Sequence, residues 1–328
     1  CLAINAATCL PLGFSYLKMW NRKEGGQNKR KRKYKSLPRN AKESIRWSDA
    51  VDQSEHVVCN TKMTTVISDR ESDVYEVLSR GNETLKILVR SNQRRRIMDD
   101  SCFVHDYIRK QPVRGNFKLT IPHSHDRKER VAKMQVQFSA VHFKQPANAP
   151  KNAYSEVCLN CIRVSEVEST CPQGEEPLEW ILLTNHEVTS VEQALQCVAW
   201  YRCRWYIEEF FRMLKKKGFA IEDIQLENVH SLEKNILLVS YATMLIITLK
   251  QAFDKPEEYK EVHADLYFSE DEVETASLLS SYVNGRTKIT TNPYPEKSLP
   301  WMAWIIARLG KWSGYLSQSK PGYTTFKR

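Results

Sequence analysis

The sequence predicts an α/β protein with a β-rich segment in its middle and a helical C-terminal region. Three observations carry this. Residues 64–68, Thr-Thr-Val-Ile-Ser, form a short β-branched apolar run that stops at Asp69 and gives way to a helical pattern. Between 85 and 183 the chain is a series of short β-type runs broken by turn residues. From 191 to about 253 apolar residues recur at helical spacing. With 328 residues, 41% of them hydrophobic and 27% charged, the chain has the make-up of a globular protein of about two domains at ~150 residues each.

Taken in order, residues 1–20 read as two short strands around a Pro11-Leu12-Gly13 turn. A basic run at 29–35 follows, ending at Pro38, and reads equally as a solvated loop or as a DNA-contacting one. Residues 41–51 have helical spacing around Ile45, Trp47 and Val51. The strand at 64–68 puts a carboxylate, Asp69, at its end, where α/β proteins form ligand sites, and a helix is expected over 73–78. Strand-like runs then fall at 85–90, 117–121, 131–142 and 157–164, with a returning core strand at 180–184. The last part mixes an acidic helix near Glu270 with a Trp-rich helix at 301–309. The expected division is 1–84 as the first part of a core, 85–179 as a β-rich insertion, 180–253 as the second part of the core, and 254–328 as a C-terminal helical region.

A net charge of +10 points to a polyanionic partner, nucleic acid ahead of membrane. The longest apolar stretch, 236–249, is shorter than the ~20 residues a bilayer requires and reads as a buried core helix, so no membrane partner is expected. The nine cysteines are scattered and odd in number, and with no export signal read, reduced thiols in a cytoplasm are expected. Cys158-x2-Cys161 lacks the second pair that a zinc site wants and reads as two strand cysteines. His123 and His125 sit in a charged loop and read as solvated. The runs at 94–96 and 215–217 suit either a DNA backbone or a solvated face. Glycine-rich phosphate loops are missing, so no nucleotide cofactor is expected.

The richest stretch is 201–215. On an ideal helix with Tyr201 at zero, Arg204 falls at about 300°, Glu208 at about 340°, Arg212 at about 20° and Lys215 at about 320°. All five lie in a stripe of about 80°, drawn out over ~21 Å, while Ile207, Phe210, Phe211 and Leu214 can face a core. One carboxylate in a row of phenol and cationic groups suits a phosphodiester: the carboxylate can hold a divalent metal while the cations take phosphate oxygens. A salt-bridged amphipathic helix, with Glu208 and Arg212 as an i,i+4 pair, gives the same spacing, and spacing alone leaves both readings open.

The block also resembles the Tyr-x2-Arg-x3-Glu-x6-Lys signature of bacterial insertion-sequence transposases of the IS-four family, DDE transposases that include the Tn-five transposase. Tyr201, Arg204, Glu208 and Lys215 occupy its four positions. Asp69-Arg70-Glu71-Ser72-Asp73 is similar to the family's Asp-Arg-Glu-x-Asp block, and 88–91 and 179–184 are similar to two further blocks in the family's order. The resemblance runs from about residue 12 to 309. It implies an RNase H-like catalytic core, a mixed sheet flanked by helices, with a β-strand insertion between the second aspartate and the glutamate. It implies an Asp-Asp-Glu triad binding two divalent metals, with Asp69 as second member and Glu208 as third. An all-carboxylate site favours Mg²⁺, with Mn²⁺ as a substitute.

By the same resemblance Tyr201, Arg204 and Lys215 would grip phosphates near the cut, Trp180 stands where the family stacks a displaced base, and Arg90 is a further DNA-binding candidate; Arg212 is another by its place on the helical stripe. For Trp180 a plain core position, and for Arg90 an ordinary surface position, remain open readings. The implied activity is cut-and-paste transposition by metal-dependent phosphoryl transfer: nicking, hairpin formation and opening, and strand transfer. Its partners would be double-stranded DNA, as transposon ends and target, and a second copy of the chain in a paired-end complex. It would act in a bacterial cytoplasm on chromosomal or plasmid DNA.

The match departs at the first aspartate. Before Asp69 only Asp49 and Asp52 occur, in a helical or linker context. The expectation is a fragment that lacks its N-terminal part, with the first catalytic aspartate and the end-recognition region, and that ends early at Arg328. An inactive remnant that only binds DNA, and an RNase H-like nuclease, stay open beside the active transposase.

Overall fold

The computed structural model describes residues 1–19, 44–98, 102–121, 129–146, 154–226, 228–285, 287–317 and 319–327, apart from the side chains of residues 216 and 217. The basic run at 29–35 and the histidines at 123 and 125 lie outside the described residues. The chain divides into two compact units: one takes the residues up to Arg204 except Leu2–Met19, and the other joins Leu2–Met19 to Trp205–Arg328.

Strands β1 (Leu2–Ile4) and β2 (Pro11–Phe14) pair antiparallel. The reversal between them falls earlier than the Pro11-Leu12-Gly13 expected from sequence. Asn5 makes it, its side-chain oxygen accepting the backbone N–H groups of Ala7 and Thr8, so that Pro11 can open the second strand.

The first unit opens with α1 (Ile45–Val57) and β3 (Thr64–Ser68). A 3-10 turn, Arg70–Ser72, and a single helical turn, α2 (Tyr75–Leu78), then carry the chain over to β4 (Leu85–Arg90). That crossover makes β3 and β4 parallel. Next come α3 (Val104–Lys110), β5 (Gly115–Ile121), β6 (Arg130–Lys144), β7 (Glu156–Glu166), β8 (Glu179–Thr184) and α4 (Val191–Cys203). The sheet order is β3-β4-β8-β7-β6-β5, antiparallel everywhere except β3 with β4.

Strand β4 lies inside the sheet and is covered on both faces, which is why Leu85, Ile87, Leu88 and Val89 are all buried. One face packs Ile87, Val89, Ile181 and Leu183 against residues of α1, α2 and α3. The other packs Leu88, Ile162, Val164 and Leu182 against Ala194, Cys197, Val198 and Tyr201 of α4. Alternation along β8 thus sends Ile181 and Leu183 to one core and Leu182 to the other, which fixes its register. A mixed sheet with flanking helices, beside a helical C-terminal region, is consistent with an RNase H-like core. Cys158 and Cys161 point to different surroundings on β7, one exposed and one buried, so their spacing is that of a strand and not of a ligand pair.

The second unit is helical. After α5 (Trp205–Arg212) and a π-helical turn, Met213–Lys217, come α6 (Val229–Asp254), α7 (Pro256–Tyr259), α8 (Glu270–Val283), α9 (Leu299–Leu309) and α10 (Tyr323–Lys327). Helix α8 starts with a capping box between Ser269 and Glu272, and α9 with Ser298 accepting the Trp301 N–H. Helix α6 has 26 residues, longer than the apolar stretch read at 236–249, and meets the length and hydropathy of a membrane span. Half of that span is buried, with Met244, Ile246, Leu249 and Phe253 in a core completed by Trp304, Trp312 and Phe326.

Candidate active site

Strands β3 and β4 run parallel and end at the same edge, so Asp69 and Arg90 stand at the carboxyl ends of neighbouring strands. Asp69 is half-buried and caps the 3-10 turn, its Oδ1 accepting the Arg70 N–H at 2.7 Å. Asp73, at the end of the same turn, has a fully buried side chain. Its Oδ2 accepts the backbone N–H groups of Asn92 (2.7 Å) and Gln93 (2.6 Å), and its Oδ1 takes Arg95 at 2.7 Å. The loop after β3 is thereby tied to the loop after β4. Asp73 therefore belongs to no helix, although a helix over 73–78 was expected; only Tyr75–Leu78 is helical.

Tyr201, near the end of α4, is 4% exposed. Its ring packs 5.8 Å from that of Trp180, and the Arg204 guanidinium carbon lies 5.8 Å from its centre. Burial, followed by the negative charge of Asp69, pushes the phenol above its ordinary range, while Arg204 and Arg90 pull it back. Asp69, Arg90, Tyr201 and Arg204 therefore share one electrostatic neighbourhood in the first unit, with Trp180 beside them. The phenol stays protonated there at neutral pH and can donate a hydrogen bond. Trp180 itself is half-buried and packs into the α4-side core.

The second half of the 201–215 block belongs to the second unit. The spacing suggests one continuous helix, whereas α4 ends at Cys203 with Arg204 as its C-cap, itself in right-handed helical conformation, and α5 runs from Trp205. A π turn from Met213 then widens the repeat and moves Lys215 out of phase with an ideal helix. Glu208 lies exposed in the first turn of α5. Arg212 pairs with Glu209 and lies 5.8 Å from the Tyr323 ring centre, and Lys215 pairs with Glu222 at 3.0 Å. The Arg212–Glu209 contact is an i,i+3 pair on α5.

Among the described residues no three His, Cys, Asp or Glu side chains converge as a metal cluster. Asp69 nonetheless has the chemistry of a hard-cation ligand: a carboxylate at a strand end that forms no ion pair among the described residues. Glu71 and Asp73 do not join it, being taken by Arg46 at 2.7 Å and by Arg95.

The structure also assembles a pocket of about 250 Å³ that includes Arg70, Arg90, His105, Arg109 and Glu179. Glu179 takes Arg109 at 2.5 Å and Arg163 at 2.7 Å, and hydrogen bonds from these two hold its carboxyl at about 2 against the effect of burial. His105 and Arg109 carried no motif, because only the folding of α3 against the sheet brings them to residues 70 and 179.

An acidic group thus stands at the open end of a mixed α/β sheet, with arginines and a buried phenol around it. The transposase DDE domain family matches residues 36–245, well over half of the chain, and the chain belongs to that family. Its members are transposases, recombination enzymes that act on DNA and typically use divalent metal ions. The matched span includes Asp69, the Tyr201 neighbourhood and Glu208.

Proposed function

We propose that the chain is catalytic-core sequence of an IS-four-type cut-and-paste transposase, which nicks transposon ends, forms and opens hairpins, and transfers strands. The observation that carries this is Asp69 at the end of the parallel strand pair, sharing its surroundings with Arg90, Tyr201 and Arg204 inside the family match. In this reading Asp69 and Glu208 are carboxylates that hold Mg²⁺. When bound, the metal supplies Lewis acidity and charge neutralisation at the phosphoryl group.

The chain's own groups do the positioning. Arg90 and Arg204 draw phosphate oxygens to the sheet edge by charge-assisted bonds. Tyr201, kept neutral, offers a fixed O–H to one of them, and Trp180 offers a ring for an unstacked base. Arg212 and Lys215 add phosphate contacts along α5 and the turn after it. The protein works as a homodimer on paired ends, in a bacterial cytoplasm.

The test is cleavage of a transposon-end duplex by the full reading frame with Mg²⁺. Strand cutting is expected, and Asp69→Ala and Glu208→Ala should each abolish it while leaving DNA binding in place. Cutting that survives both substitutions would remove these residues from the chemistry. Binding without cutting at any metal concentration would mean a DNA-binding remnant.

A further inference from the structure

We propose that the pocket between α3 and the ends of β4 and β8 is a second phosphate-binding site, adjoining the Asp69 site through Arg90, which takes a backbone phosphate of a DNA strand on the sheet face opposite Tyr201. It rests on the DNA-binding reading above and extends it to His105 and Arg109, which no motif marks.

The opposition of faces follows from strand alternation. Glu179 and Ile181 line the pocket, and Ile181 belongs to the core under α1, α2 and α3. Trp180 and Leu182, the alternate residues of β8, belong to the core under α4 that holds Tyr201. Arg90, at the strand end, lines the pocket and also acts electrostatically on Tyr201, so a strand held on one face lies next to the other.

Charge and size select the ligand. Three guanidinium groups, from Arg70, Arg90 and Arg109, line the space against one carboxylate. That carboxylate, Glu179, is already bridged by Arg109 and Arg163, so it adds little repulsion. Arg70 is exposed and forms no ion pair among the described residues, and Arg90 makes one 3.3 Å bond to the Glu179 carbonyl. Both keep donors for an incoming oxygen. At about 250 Å³ the space is smaller than the ~300–1,000 Å³ of drug-sized ligand sites, and suits a phosphate with part of its sugar rather than a whole cofactor.

The walls are also fixed in advance. Asp73 clamps the backbone at Asn92 and Gln93, and Ser91 Oγ lies 2.9 Å from His105 Nε2. The wall around the arginines is therefore ordered by folding before a ligand enters.

The experiment measures binding of a fluorescein-labelled duplex of arbitrary sequence to the chain at salt from about 50 to 200 mM. Arg70→Ala should make the slope of log K against log salt shallower by about one, because one phosphate contact is lost. Asn92→Trp changes no charge but blocks the pocket from its exposed rim, and should give a similar loss. Arg80→Ala removes an equal charge near the start of β4, where Arg80 pairs with Asp52, and should leave the slope unchanged. A wild-type slope in both Arg70→Ala and Asn92→Trp, with DNA still bound, overturns the pocket alone. No salt-dependent binding by the unaltered chain overturns the DNA-binding reading and the pocket with it.

Discussion

Asp69 and Asp73 close the two ends of one 3-10 turn, yet their surroundings are opposite. Asp73 has no exposed side-chain surface and its oxygens are filled by two backbone N–H groups and Arg95. Asp69 is half-buried, and its carboxylate accepts only the N–H of its neighbour Arg70 among the described residues. A carboxylate saturated by protein donors has no lone pairs left for a ligand and serves the fold. One left partly open at a strand end keeps its coordination capacity. Two acidic residues of a single motif are therefore divided between architecture and chemistry by their partners.

The largest expected effect breaks this comparison directly. Asp73→Ala removes one side of a buried ion pair, leaving Arg95, 15% exposed, and two backbone donors without their acceptor. Such losses cost about 3–5 kcal/mol, read as a lower urea midpoint. Asp69→Ala removes a half-open group and should shift stability by about 1 kcal/mol or less. If Asp69→Ala were the more damaging of the two, the assignment of roles would be reversed.

His186 sharpens the comparison with a second buried polar group. Its Nε2 lies 2.9 Å from Thr65 Oγ1 and its ring is 4.9 Å from that of Trp200. Burial, with Lys86 adding repulsion, lowers its pKa from the usual 6.5 to about 4. A base whose folded pKa is depressed favours the fold in its neutral form. Its contribution is complete above about 6.5 and is lost as pH falls toward 4, where the unfolded chain binds the extra proton first. The shift alone corresponds to about 3 kcal/mol, which partial solvent screening reduces, so unfolding followed between pH 7 and 4 should show a loss of about 1–2 kcal/mol that His186→Gln flattens. An unchanged pH profile in that variant would assign the acid sensitivity to other groups.

Much of the sheet was legible because strand pattern is local. The runs at 85–90 and 180–184 are rich in β-branched and aliphatic residues, and they form β4 and β8. The Asp69 position was legible for the same reason, as a carboxylate that halts an apolar run. Two features were not. The break at Arg204 has no Gly or Pro to mark it, and the π turn after Arg212 follows residues that favour an ordinary helix. The 201–215 spacing thus placed on one stripe residues that lie on separate helices. The pocket could not be read either, since Arg109 and Glu179 are 70 positions apart and meet only through α3 and β8. Periodicity reports what a segment does by itself, whereas such a site is created by pairing across the chain.

The smallest expected effect concerns Lys215, the most exposed kind of polar group in the comparison. It pairs with Glu222 at 3.0 Å, with half or more of each side chain in solvent. Exposed pairs contribute about 0–1 kcal/mol, so Lys215→Ala should change stability by no more than about 0.5 kcal/mol. Its proposed role in gripping phosphate is separable from that pair. Glu222 competes with DNA for the same ammonium group, so Glu222→Gln should tighten duplex binding by roughly twofold at low salt and lose that advantage as salt rises. Lys215→Ala should weaken binding and make the salt slope shallower by about one. If Glu222→Gln tightened binding equally in a Lys215→Ala background, the gain would come from net charge alone and Lys215 would have no place in the phosphate contacts.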